Sequence, residues 1–341
     1  MEHRKLGRTG LRVSSVGLGT LTWGRDTDEL EAREQLDVFL DAGGTVLDTA
    51  ASYCEGASEE VVGTLLREHV LRQDVVLVSK AGVRTWRTGE RPSAADASRG
   101  TLLDTLDASL ERLGTDHLDL WLVQVPDPTT PLEETAHALR TAVASGRSRY
   151  VGLSNHPAWA TVRVSDLLSE GIQGPGLAAV EVEHSLFARG VERELIPAAG
   201  ALGFGVIGYA PLGRGVLTGK YRSSTPPDSR AASPTCAPTW HPTWQSTTAE
   251  SVRRLPPQQQ AWTASRSRWL WPGPATPRSR LHHPGGTYPF PAAGRARGRG
   301  PAPACTDPPR PGRGNRTGPG LSRAVLRPGR GCLGLLRGWL R

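Results

Sequence analysis

Seven short runs of β-branched and aliphatic residues recur through the first two thirds of the chain, and amphipathic stretches separate them. The runs are RVSSVGLGT (12–20), TVLDTA (45–50), DVVLVSKAG (74–82), HLDLWLVQV (117–125), YVGLSN (150–155), LAAVEVEHS (177–185) and FGVIGYAPL (204–212). Between them lie helical patterns at 27–43, 58–69, 98–114, 131–146, 157–170 and 191–203. In the first helix Leu30, Leu36, Phe39 and Leu40 fall near helical spacing and Gly43 marks its stop. Ser58 is predicted to cap the second, ahead of acids in its first turn. Leu103, Leu106, Leu110 and Leu113 share one face of the third.

Such alternation predicts an α/β fold with a parallel sheet and right-handed crossovers. A doubly wound dinucleotide-binding sheet would carry a Gly-rich turn after its first strand, and GLGT (17–20) is too short for one. A (β/α)8 TIM barrel is therefore expected, incomplete, with seven βα units recognisable and the eighth strand missing. In that architecture the active site lies at the C-terminal ends of the strands.

Composition divides the chain near residue 222. Residues 1–222 hold 23 Lys and Arg against 30 Asp and Glu; residues 223–341 hold 18 Arg, no Lys and 3 acids. The overall net charge of +8 thus belongs to the last third and says nothing about anionic partners of the first two. Pro divides likewise, 8 before and 20 after, which breaks any continuing helix or sheet pattern. The domain reading is a barrel over 1–222 and a Pro/Arg/Gly-rich tail over 223–341, expected to be disordered. The start, MEHRKLGRTG, lacks an apolar signal core, and LGLLRGWL (333–340) is too short to span a bilayer. Cys54, Cys236, Cys305 and Cys332 show no metal-ligand spacing. A cytoplasmic protein with reduced thiols, no metal and no membrane partner is expected.

The strand ends carry the chemistry. The second run ends at Asp48, with Tyr53 five residues on; the third at Lys80; the fourth at Gln124; the fifth at Ser154 and Asn155. The sixth carries Glu181 and the seventh Tyr209. Singly, each has an ordinary reading as a cap, a solvated charge or packing. Together they can do one job. A Lys cation beside a Tyr is expected to lower the phenol toward working pH, and an Asp beside the Lys would orient it. The Tyr could then donate a proton to a carbonyl oxygen while a hydride arrives at carbon.

At these residues the chain resembles the aldo-keto reductases. RKLGRTGLRVSSVGLGT, VLDTAASY, LVSKAG, LDLWLVQVPDPTTPLEET, YVGLSN and VIGYAPLGRGVLTGKY match family blocks in order and spacing over roughly residues 3–222. The resemblance implies NADPH binding without a Rossmann fold and reversible reduction of a small aldehyde or ketone. It implies that Asp48, Tyr53 and Lys80 are catalytic, with Tyr53 the acid, and that Ser154 and Asn155 hold the nicotinamide carboxamide. Tyr209 would stack on the ring, and Gly19, Thr20, Leu212 and Gly213 would line the dinucleotide.

Three departures stand out. Gln124 occupies the fourth catalytic position, usually His; its amide can donate a hydrogen bond but cannot relay a proton. Glu181 stands where a Gln usually helps hold the carboxamide. The family pattern stops near Arg222, and with it the unit expected to hold the adenosine 2′-phosphate. The tail has the composition of GC-rich coding sequence read out of frame. Read from the last base of each codon, residues 268–276 permit VALAWxRD and residues 259–263 permit AGLD, which resembles the family's approach to its eighth strand. A frameshift after TPPDSRAASP (225–234) is the reading this supports, with impaired activity. Two alternatives carry different functions: a non-catalytic NADPH-binding regulatory subunit of the same family, favoured by Gln124, and a nucleic-acid binder using GRARGRG (294–300). Asp48, Tyr53 and Lys80 favour the enzyme, and no nucleic-acid partner is expected.

Overall fold

The computed structural model describes residues 1–84, 94–169 and 176–218. An N-terminal hairpin, β1 (His3–Lys5) and β2 (Arg12–Ser14), precedes β3 (Gly17–Gly19) and α1 (Glu29–Asp41). Then follow β4 (Val46–Asp48), α2 (Ala57–Glu68), β5 (Val76–Ala81), a small pair β6 (Val83–Arg84) and β7 (Ala94–Ala95), and α3 (Arg99–Leu113). The chain continues through β8 (Leu118–Val123), α4 (Leu132–Ala144), β9 (Ser148–Ser154), α5 (Ala158–Ser169), β10 (Ala179–Glu183), α6 (Leu195–Leu202) and β11 (Gly205–Tyr209).

Seven strands form one sheet in the order β11-β10-β9-β8-β5-β4-β3, every pair parallel. Each strand neighbours the next in sequence, the barrel order that the alternation predicts. The sheet curls around a cavity of about 880 Å³ lined from β3, β4, β5, β8, β9, β10 and β11. Among the described residues β3 and β11 are its two edges. The expectations placed on residues 223–341, including the shifted frame and the Arg-rich run, lie outside the described residues.

Strand periodicity sorts each side chain. On β5, Val76, Val78 and Lys80 face the cavity, while Leu77 and Ala81 join the outer core under the helices. The same parity puts Val46 and Asp48 of β4 inside and Leu47 outside. At the bottom the hairpin contributes Leu6 and Val13 to an inner cluster with Val46, Val78, Leu120 and Leu122.

Three local expectations are corrected. The run 12–20 is two strands: β2 pairs antiparallel with β1, β3 parallel with β4, and between them the Ser14 hydroxyl donates to the Val16 carbonyl and accepts from Thr45 N. Ser58 does not cap α2. The N-cap is Gly56, in the left-handed region at φ +98°, and Ser58, the second residue of the helix, is buried and bonded to Thr20 and Thr49. Leu30 is exposed, α1 being anchored by Ala32, Leu36 and Phe39. Among the described residues no helix is long and apolar enough to cross a membrane.

Candidate active site

Lys80 is the centre of the site. It is 1% exposed, and three N–H groups meet three acceptors: Asp48 Oδ1 at 2.7 Å, Asp48 Oδ2 at 2.8 Å and the Thr49 carbonyl at 3.0 Å. Adjacent strands β4 and β5 make this possible, since both residues lie at the C-terminal end of the same inner face. Desolvation alone would lower the Lys80 ammonium, but the carboxylates around it outweigh that and hold it well above its ordinary value. Asp48 moves upward, because burial exceeds the pull of Lys80.

Tyr53 sits five residues beyond Asp48, its ring centroid 5.1 Å from Lys80 Nζ. The following turn is left-handed at three successive residues, Cys54 (φ +50°), Glu55 (φ +58°) and Gly56 (φ +98°). Non-Gly residues are strained there, and such strain concentrates at functional sites. The phenol is corrected in sign from the sequence expectation. Burial pushes it above its ordinary value, and Lys80 offsets only part of that. At neutral pH Tyr53 therefore carries its proton.

Gln124 follows β8, its backbone N–H donating to Ala81 O at 2.7 Å and its side-chain Oε1 accepting from Ser52 Oγ at 2.8 Å. Ser52 lies within VLDTAASY but shows no signal of this contact until the loops meet. Asn155, in the left-handed region at φ +60°, donates through Nδ2 to Gln124 O and Ser154 Oγ, both at 3.0 Å, and its Oδ1 accepts from Tyr209 OH at 2.8 Å. The expected cofactor residues of β9 and β11 are thus tied to one another. Burial raises the Tyr209 phenol as well.

Glu181 of β10 reaches the same cluster. It is 3% exposed, its Oε2 stands 3.4 Å from Lys80 Nζ, and that oxygen has no hydrogen-bond partner. Burial, reinforced by the charge of Asp48 and opposed by Lys80, pushes it up to about 8.

Gly19 and Leu212 line the cavity. Thr20 is fully buried, its hydroxyl bonded to Ser58 Oγ and the Asp48 carbonyl, so its side chain supports the strand ends. Gly213 is buried in a tight loop with Ala210, Arg214 and Gly215, all at positive φ. Arg214 on this loop pairs with Glu183 at 2.8 Å and lines the cavity mouth. Neither residue stood out in the sequence, because the pairing joins two strand ends 31 residues apart.

These groups supply the donors and acceptors that a planar amide needs. Ser154 Oγ–H can donate, Asn155 Oδ1 keeps a second lone pair, and Glu181 Oε2 is a buried polar atom without a partner. These residues would hold a nicotinamide carboxamide.

The family model described as Aldo/keto reductase family matches residues 15–265, which carries the match past residue 222. A protein titled "Probable voltage-gated potassium channel subunit beta", from Oryza sativa subsp. japonica, is 35% identical over 241 residues, covering 68% of this chain and 70% of its own length. The L-glyceraldehyde 3-phosphate reductase of Escherichia coli is 36% identical over 236 residues, covering 67% of each chain. A solved aldo-keto reductase from Bacillus halodurans, in its holo form, superimposes with a TM-score of 0.56 at 30% identity, covering 64% of this chain and 68% of that one.

Proposed function

The chain belongs to the aldo/keto reductase family, and from that premise we propose that it reduces a small aldehyde or ketone to an alcohol with NADPH, Tyr53 being the acid. The dinucleotide, when bound, supplies the hydride. The observation that carries the reading is the Lys80–Asp48 contact placed beside a protonated Tyr53 at the cavity end. Lys80 stabilises the phenolate left when Tyr53 gives up its proton, and Asp48 fixes the ammonium in place. With its oxygen bonded to Ser52, Gln124 has an amide N–H left to orient a carbonyl oxygen. The Pro- and Arg-rich composition after residue 222, with 20 Pro and 18 Arg, is read as a shift of frame, which resequencing the codons for residues 222–290 checks.

The test is Tyr53→Phe, read on the full chain and on one with the frame restored. Turnover should fall by at least about 10²-fold, the scale of one general acid, with dinucleotide affinity nearly unchanged. Undiminished turnover rejects Tyr53 as the acid.

Two observations favour a second reading. Gln124 cannot relay a proton, and a 35% identical relative is titled a potassium channel subunit. On that reading the chain is a regulatory subunit that binds the dinucleotide and turns over slowly or not at all.

A further inference from the structure

We propose that Glu181 holds a proton inside the cavity, and that this proton sets how tightly the nicotinamide end of the dinucleotide is gripped. The inference rests on the reductase reading for its second half only.

The first half is a count of donors. An ionised carboxylate buried in protein needs cations or N–H and O–H groups on its oxygens. The groups around Glu181 are Asp48 from β4, Tyr53 from the turn beyond it, Lys80 from β5, Ser154 at the end of β9 with Asn155 just after it, and Tyr209 from β11. Lys80 is the one cation among them, and its three short contacts go to Asp48 and Thr49. Tyr209 gives its O–H to Asn155 Oδ1, and Asn155 Nδ2 gives its hydrogens to Gln124 O and Ser154 Oγ. The backbone pairing of Asn155 N with Glu181 O serves the main chain. Glu181 Oε2 is left 3.4 Å from an ammonium already committed, beside a second carboxylate. A proton taken from solvent removes a charge that Lys80 offsets only in part. Burial and Asp48 act in the same direction, against Lys80.

The second half follows from what a carboxylic acid offers. Protonated, Glu181 presents one O–H donor and one carbonyl acceptor, the pattern of a Gln amide. A carboxamide on the cavity side of Glu181 can take that hydrogen on its carbonyl oxygen. Once Glu181 loses its proton the donor is gone, and a net negative charge stands beside Asp48. Glu181 is thus a positioning residue whose function depends on pH, where a Gln would be constant.

Two measurements on the full chain test the two halves. Infrared difference spectra between the wild type and Glu181→Gln, from about pH 6 to pH 10, look for the carbonyl band of a protonated acid. The band is expected in the wild type at the acid end, lost at the alkaline end and absent from the variant. No such band at about pH 6, or one that persists in the variant, overturns the proton assignment. NADPH affinity is then followed by quenching of tryptophan fluorescence over the same range. Wild-type affinity should fall about tenfold more than that of Glu181→Gln, the scale of one hydrogen bond to a charged group. Parallel profiles overturn the anchoring role. If the band titrates but NADPH binds neither chain, the proton stands and the anchoring role falls, while the reductase reading is decided separately by Tyr53→Phe on the chain with its frame restored.

Discussion

Two buried glutamates, one on each side of the sheet, show how the same side chain becomes structural or functional. Glu59 lies on the outer side, where α2, β5 and α3 meet, and is fully buried. Ser79 Oγ donates to it at 2.6 Å, and Arg112 donates through Nε at 2.8 Å and reaches it again through Nη2 at 2.6 Å. Every charge there has a partner on a neighbouring element, so the cluster clamps the layer. Glu181 lies on the inner side, next to a cation whose hydrogens are taken, with an oxygen that accepts no hydrogen bond. Strand parity assigns the roles: Ser79 and Lys80 are neighbours in sequence on opposite faces of β5. Donor supply, not burial, separates a strut from a group left ready for a ligand.

Disrupting each cluster should break different properties. Lys80→Met should have the largest effect, because it strands Asp48 and removes the charge beside Tyr53. Turnover should drop by at least about 10²-fold, and stability should fall by about 3–5 kcal/mol as measured by denaturant titration. Glu59→Ala should cost a similar 3–5 kcal/mol by leaving Arg112 and Ser79 unpaired, while turnover per folded molecule stays at the wild-type level. A loss of turnover without a loss of stability would place Glu59 in the site.

Glu181→Gln should separate from both through pH. The folded carboxyl is raised above its unfolded value of 4.5, to about 8. Its favourable contribution is therefore complete below about pH 4.5 and is lost progressively as pH rises through about 8. The melting temperature of the wild type should fall relative to the variant over that window, with the two close at the acid end. Gln124→His should produce the smallest change, a rise in turnover of about tenfold at most if the amide limits the reaction. A decrease would mean that the pocket is shaped around Gln124 and its bond from Ser52.

The catalytic candidates were legible in the sequence because strand periodicity and a common C-terminal end are local properties. Asp48, Lys80, Gln124, Ser154, Asn155, Glu181 and Tyr209 all stand at those ends and converge on one cluster. The partners were less legible. Glu59 and Glu60 read as acids suited to the start of a helix, yet Glu59 is turned into the sheet by Arg112, 53 residues on. Ser58 read as a cap, but a left-handed Gly56 starts the helix and frees Ser58 to bond Thr20. The direction of the Tyr53 shift required knowing how deeply the phenol is buried, which spacing does not carry. The break at Ser15 and Val16 depends on the Ser14 hydroxyl meeting Thr45, a contact between segments 31 residues apart.

The central claim, that this cavity transfers hydride to a carbonyl with Tyr53 supplying the proton, is tested most directly by isotope transfer. NADPH carrying deuterium on the transferring face of its nicotinamide is mixed with a set of small aldehydes and the protein, and the alcohol formed is examined by mass spectrometry and NMR. One deuterium is expected at the carbinol carbon, with almost no labelled alcohol formed by Tyr53→Phe. Tight NADPH binding with no deuterium delivered to any aldehyde, in a chain whose frame is intact, would contradict it and favour the regulatory reading.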